Sequence, residues 1–183
     1  MFFKGGTIIY ASFLLRLKAF AIDYILILLY LALLTIVNLF IFPEAQGLFM
    51  GSVITAQITG FILVTLPVSL YFIISDSTVG KQSLGKRRAG IQVVNQNGDA
   101  LPIWQSTIRN FIKFIPWELS HFLVYRFIYI GDGEVSVLYY IVGGLIYLLI
   151  FVYIFTAIFT KKEQSLYDIV VKSNVVKVDV KLA

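Results

Sequence analysis

The run from Arg16 to Ile41, RLKAFAIDYILILLYLALLTIVNLFI, constrains the fold more than any other part of the chain. Its apolar length is what an α-helix needs to cross a hydrocarbon core about 30 Å thick. Arg16 and Lys18 stand at its entrance, and Asp23 lies inside it. Arg16 and Asp23 are close to two helical turns apart, so they share one face, with Asp23 roughly 10 Å deeper. A carboxylate turned to lipid at that depth costs a few kcal/mol on insertion scales, so Asp23 is expected to face protein or a water-filled space. The rest of the chain has to supply that space or a partner.

Composition agrees with a membrane fold. Of 183 residues, 59% are hydrophobic and only 14% are charged. With a mean hydropathy of +0.88, this excludes a soluble domain and identifies an integral membrane protein. The absence of cysteine rules out disulfides and thiolate metal sites, and the single histidine, His121, rules out a histidine-rich one. No metal or other cofactor is expected. The net charge of +5 comes from Lys and Arg gathered in a few hydrophilic segments. That pattern suits a membrane face, with the lipid bilayer as partner and no nucleic acid. The apolar run Thr7 to Leu15 ends in Arg16 and Lys18 rather than in a small-residue cleavage site, so no cleavable signal peptide is expected.

In chain order, Gly5–Gly6 reads as a break within an interfacial segment, residues 1–15. A first span, about residues 19–42, ends at Phe42–Pro43, and the loop Glu44 to Gly51 is acidic. A second span, 52–75, offers a small face at Ala56, Thr59 and Gly60 and a kink at Pro67. Residues 76–100 form the longest hydrophilic segment, which the positive-inside rule puts in the cytoplasm. Within it Ile91 to Val94 has strand composition and Asn95 to Gly98 reads as a turn. An interfacial amphipathic helix is expected from Pro102 to Phe114. Pro116 should then separate it from a short third span, 116–130, broken or partly re-entrant. GDGE, Gly131 to Glu134, is an acidic external turn. The last span, 135–159, carries Gly143–Gly144 for close approach, and Lys161 and Lys162 mark the return. A short helix around Leu166 to Val171 and a strand around Val175 to Val180 follow.

Basic segments precede the first span and follow the second and last, with acidic loops between them. The expected fold is therefore an all-α membrane protein with four transmembrane segments, both termini cytoplasmic, and a small cytoplasmic β element, in a single domain, 1–183. Ile91 to Val94 should pair with Val175 to Val178, since neither run can satisfy its backbone alone.

Three stretches carry a resemblance: Arg16 with Asp23, Thr78 to Gly98 (TVGKQSLGKRRAGIQVVNQNG) and Ser165 to Val176 (SLYDIVVKSNVV). In kind and order they resemble the RDD family of small polytopic membrane proteins, named for one arginine and two aspartates. The resemblance makes Asp168 the second aspartate. Tyr167 replaces the family's usual histidine, and Ser173 stands near its usual threonine. The resemblance implies a multi-pass inner (cell) membrane protein, and transport is suggested for the family.

Arg16, Asp23, Arg109, Asp168, Glu118 and His121 form the candidate polar cluster. A buried carboxylate there could bind and release a proton or cation, since burial raises its pKa and an arginine lowers it. The same residues could equally be ion pairs that let helices pack. Asp23 is expected to meet Arg109 first and Arg16 second. Asp168 should pair with Arg16 and open its helix with Ser165 as a variant capping box. Lys81, Lys86, Arg87 and Arg88 are expected either on lipid headgroups, at about 1 kcal/mol each, or as a topology signal alone. Gly80 to Arg87 approaches the phosphate-binding pattern G-x-x-x-x-G-K-[ST]. Arg87 occupies the hydroxyl position, and a span rather than a strand precedes it. Trp104 and Trp117 suit an aromatic belt. No spacing supports catalysis, and the chain is not expected to be an enzyme. Two function classes remain. One is a proton- or cation-coupled transporter working through the Asp/Arg cluster, for which a homodimer would complete the path. The other is a non-catalytic accessory protein that binds another membrane protein through the aromatic and glycine-bearing faces of the second and last spans.

Overall fold

The computed structural model describes residues 9–178. The Gly5–Gly6 break and the part of the last strand beyond Val178 lie outside the described residues. Helix α1 (Phe13–Ile36) starts at Ser12, and its first amide, Phe13 N–H, donates to Glu163 Oε2 at 2.7 Å. A π-helical turn, Val37–Ile41, carries it on to Pro43. A 3-10 turn (Pro43–Gln46) and α2 (Gly47–Met50) fill the loop. The second rod joins α3 (Val53–Gly60), a π-helical turn (Phe61–Thr65) and α4 (Leu66–Ser75). Then come α5 (Leu84–Ala89), β1 (Ile91–Asn95), α6 (Ile103–Ile130), α7 (Val137–Phe159), α8 (Leu166–Val170) and β2 (Ser173–Lys177).

Three helices are long and apolar enough to cross a membrane: Phe13–Ile41, Val53–Ser75 and Val137–Phe159. Their outer faces expose large side chains such as Leu29, Phe40, Ile62, Tyr147 and Phe151. Apolar cover on that scale belongs against lipid.

Residues 103–130 differ from expectation. No separate interfacial helix ends near Phe114, and Pro116 breaks nothing: α6 is one continuous helix of 28 residues, about 42 Å long. Pro116 cannot donate to the carbonyl of Ile112 four residues back, which would ordinarily break or kink the helix. Tyr153 on α7 supplies the missing donor, its hydroxyl meeting Ile112 O at 2.6 Å. The second rod solves the same problem at Pro67, where the Tyr30 hydroxyl of α1 donates to Leu63 O. Each orphaned carbonyl is thus satisfied by a tyrosine from a neighbouring helix, the condition for proline inside a bilayer.

Helix α6 runs antiparallel to α7. Ile112 meets Tyr153, Leu123 packs over Gly143, and the Phe127 and Tyr139 rings meet edge to face, 6.1 Å between centroids. The close approach expected at Gly143–Gly144 does not occur: a Cβ at Gly143 would meet a Leu123 methyl at an ordinary 3.8 Å, and Gly144 has space around it. Several polar residues of α6 point inward: Arg109 and Asn110 are buried, and Arg126 Nη1 donates to Gln57 Oε1 of α3, whereas Thr107 is exposed. The small face of α3 is used here too, with the Tyr125 hydroxyl of α6 in the space a side chain at Gly60 would fill.

β1 and β2 pair antiparallel, Ile91 opposite Lys177 and Asn95 opposite Ser173, the pairing expected from sequence. The Ala11 amide donates to Val175 O at 2.9 Å, which lays the entry of α1 against the sheet. Ala11, Ala19, Ile91, Val93, Leu101 and Val175 form the core beneath it. Deeper in the bundle, Ile27 of α1 packs with Val68 and Phe72 of α4. The sheet, α5, α8 and the starts of α1 and α6 therefore gather at one polar end of the bundle.

Candidate functional site: a buried ion network

Asp168 sits at the centre of this end and is fully buried. Its Oδ2 accepts from Arg16 Nη2 at 2.9 Å and from the Ser165 amide at 3.3 Å, the second closing the capping box that starts α8. Its Oδ1 accepts from Arg109 Nε at 2.7 Å and Ser173 Oγ at 3.0 Å. Arg109 reaches further, its Nη1 donating to Asp76 Oδ2 at 2.8 Å. Asp76 follows the last residue of α4, and its other oxygen accepts from Lys86 Nζ of α5 at 2.7 Å. The chain Arg16–Asp168–Arg109–Asp76–Lys86 thus alternates in sign and ties α1, α4, α5, α6 and α8 together.

Burial alone would raise the Asp76 carboxyl, but Lys86 and Arg109 hold it below its ordinary value. Asp168 is likewise pushed up by burial and drawn below its ordinary value by Arg109 and Arg16. Both carboxylates are ionised at neutral pH. The planar guanidinium of Arg109 suits its central place, since its fork can serve two carboxylates at once.

Asp23 is not in this chain, which corrects the expected pairing with Arg109 or Arg16. It is buried, with Oδ1 accepting from Tyr71 OH at 2.9 Å and the Gly85 amide at 2.7 Å, and Oδ2 from Ser83 Oγ at 2.6 Å. The physical reason is Gly85. An added Cβ there would come within 2.0 Å of the Ala19 carbonyl oxygen, so only glycine lets the start of α5 lie against α1 and turn its amide onto Asp23. The carboxylate is satisfied by neutral donors, and Arg109 is left to two other aspartates.

Three further expectations are corrected. Lys86 is not at a headgroup: it is buried and paired with Asp76, while Arg87 and Arg88 are exposed and Lys81 lies at the surface. Glu118 and His121 do not join the network. They form a separate group further along α6, where Thr65 Oγ1 donates to Glu118 Oε2 at 2.8 Å and lies 3.3 Å from His121 Nδ1. Trp117 is half-buried with its ring edge against His121 and its indole nitrogen without a partner among the described residues, whereas Trp104 is exposed as a belt residue would be.

A cavity of about 170 Å³ opens beside the network. The charged side chains on its wall are Arg16, Asp23, Lys86, Arg109 and Lys113. Lys113 lies one turn beyond Arg109 on α6, its ammonium 4.0 Å from the centre of the Phe72 ring. Among the described residues it makes no ion pair. No group of histidine, cysteine and carboxylate side chains able to hold a metal occurs among the described residues.

The RDD family model matches residues 10–172, which contain the arginine, both aspartates and the whole network. The chain belongs to the RDD family. Neither a curated protein nor a solved structure matches it. The geometry gives the RDD residues unequal parts. Arg16 and Asp168 are joined in one ion pair, while Asp23 anchors the loop before α5. Asp76 and Lys113 also stand at this end, and neither is among the site residues expected from sequence. Asp76 stands at the end of a span beside a basic segment, and Lys113 follows Arg109 at helical spacing, so both left a signal.

Proposed function

We propose that this RDD protein is a proton-coupled membrane transporter with four crossings, α6 being the fourth, and with its polar end in the cytoplasm. The observation that carries the reading is a five-member buried ion network bordering a cavity that also exposes Lys113. Ion pairs kept only for packing need no such opening. Around a cavity, Arg109 can shift its weight between Asp76 and Asp168 as charge enters or leaves, at little cost in unpaired charge. Asp23 holds the frame, because its donors are neutral and its carboxylate already accepts three hydrogen bonds.

What supports the fourth crossing is the pairing of segments on either side of the α6–α7 pair. Residues before α6 (Ile91–Asn95) pair with residues after α7 (Ser173–Lys177), as they would if two antiparallel helices went out and returned together. Low hydropathy does not count against α6, because its charges face the bundle rather than lipid. Exposed Arg87, Arg88, Lys161 and Lys162 at the polar end favour the cytoplasmic side.

The test is reconstitution of the purified protein in liposomes with a trapped pH dye and an imposed pH gradient. Proton flux above that of protein-free liposomes is expected, slowed by Asp76→Asn in protein that still elutes as a folded species. Absence of flux together with a stoichiometric membrane-protein partner on purification would replace this reading with the accessory role.

A further inference from the structure

We infer that the cavity beside the network is a binding site for a phosphate-class oxyanion. Four cations line it, Arg16, Lys86, Arg109 and Lys113, against one carboxylate, Asp23. Asp76 and Asp168 do not line it; they sit behind the cations they neutralise. Asp23 spends its oxygens on Tyr71, Ser83 and Gly85 and neutralises none of the four. Counting all three carboxylates, the four cations still leave one positive charge over, and Lys113 is the member with no ion pair among the described residues. Its ammonium is supported by the Phe72 and Phe114 rings, 4.0 and 5.5 Å from their centres. Arg16 adds its guanidinium to the wall, one nitrogen of which, Nε, is buried and has no partner among the described residues.

A half-buried ammonium with no carboxylate paired to it either gives up its proton or draws in something negative, and the cavity beside Lys113 leaves room for the second. Size and direction point to the kind of anion. A space of about 170 Å³ is many times the ~10–15 Å³ of such volume that one water needs, enough for a tetrahedral oxyanion with some water. Cationic side chains line it from α1, α5 and α6, an arrangement that suits several oxygens pointing different ways better than the two of a planar carboxylate. Arginine forks and lysine ammonium groups are the usual partners of such oxygens. The same chemistry is presented by free phosphate and by a lipid phosphate headgroup, and Leu17 and Phe20, exposed on α1, also line the cavity. As the solute of the transporter, the oxyanion rests on the reading given above; its binding is testable without transport.

The experiment uses the full chain in nanodiscs and reads the melting temperature. In discs of neutral phosphatidylcholine, sodium phosphate is titrated against sodium chloride at matched ionic strength. Discs containing phosphatidylglycerol, without phosphate, form the second arm. Free phosphate as ligand raises the melting temperature in the neutral discs. A headgroup as ligand raises it in the anionic discs, and added phosphate then does nothing more. Lys113→Gln should weaken binding about tenfold or more, the loss of one charge-assisted hydrogen bond, whereas Lys113→Arg should retain it. A wild-type protein unmoved in both arms, or a Lys113→Gln variant responding as strongly as wild type, would overturn the site. Equal loss in Lys113→Gln and Lys113→Arg would do the same. Lys113-dependent binding without flux in liposomes would leave the oxyanion site standing and overturn the transport reading alone.

Discussion

Tyr153→Phe isolates the device that keeps α6 whole. The substitution removes one oxygen and keeps the ring, including its edge-to-face contact with Tyr167 at 5.3 Å. What is lost is the single donor to Ile112 O, a carbonyl that Pro116 has already deprived of its helical partner. Leaving a buried polar group unsatisfied costs about 1–3 kcal/mol, while interhelical hydrogen bonds in membranes average about 0.6 and reach about 1.7 kcal/mol. With no helical amide in reserve, the loss should be about 1–2 kcal/mol. Pro116→Ala restores the amide and so the helical bond to Ile112. In that background Tyr153→Phe should cost about 0.5 kcal/mol or less, giving a coupling of about 1 kcal/mol in a double-mutant cycle. The assay is reversible unfolding in mixed micelles for wild type, both single variants and the double variant. An equal loss in both backgrounds would refute the compensation and leave the continuity of α6 without a cause.

Asp168→Asn deprives Arg16 of its ion-pair partner and leaves Arg109 with Asp76 alone, and should destabilise the protein by about 3–5 kcal/mol in thermal melts; a loss under about 1 kcal/mol would mean the network is not structurally coupled. Gly85→Ala drives a Cβ into the backbone oxygen of Ala19, which cannot rotate away, so a loss of at least about 1–3 kcal/mol is expected by chemical unfolding. Gly60→Ala should cost less by the same measurement, because the atom it meets first is the Tyr125 hydroxyl at the end of a movable side chain.

Periodic and compositional features of this chain were legible in its sequence. Long apolar runs gave α1, the α3–α4 rod and α7, and short β-branched runs gave β1 and β2. The Asp168–Arg16 pair followed from placing α8 on the same side as the entry to α1. What escaped depends on contacts between distant segments. Pro116 reads as a break because the remedy, Tyr153, lies on another helix, and nothing local announces it. Asp23 reads as a partner for arginine because charge is visible in sequence. The hydroxyls of Tyr71 and Ser83 and the Gly85 amide become its partners only when α5 folds onto α1. Glu118 and His121 share a helix with Arg109, but the rise along α6 carries them away from it toward Thr65.

Membrane topology tests the reading most directly, because an outward and returning α6–α7 pair is what brings both halves of the ion network to one end. The chain has no cysteine, so single cysteines at the exposed positions Arg88, Asp132 and Lys161 can be labelled cleanly with a membrane-impermeant maleimide. Labelling of Arg88→Cys and Lys161→Cys from one face and of Asp132→Cys from the other is the expected result. If Asp132→Cys labels with Arg88→Cys and Lys161→Cys labels from the opposite face, α6 does not cross, and the four-span arrangement is wrong.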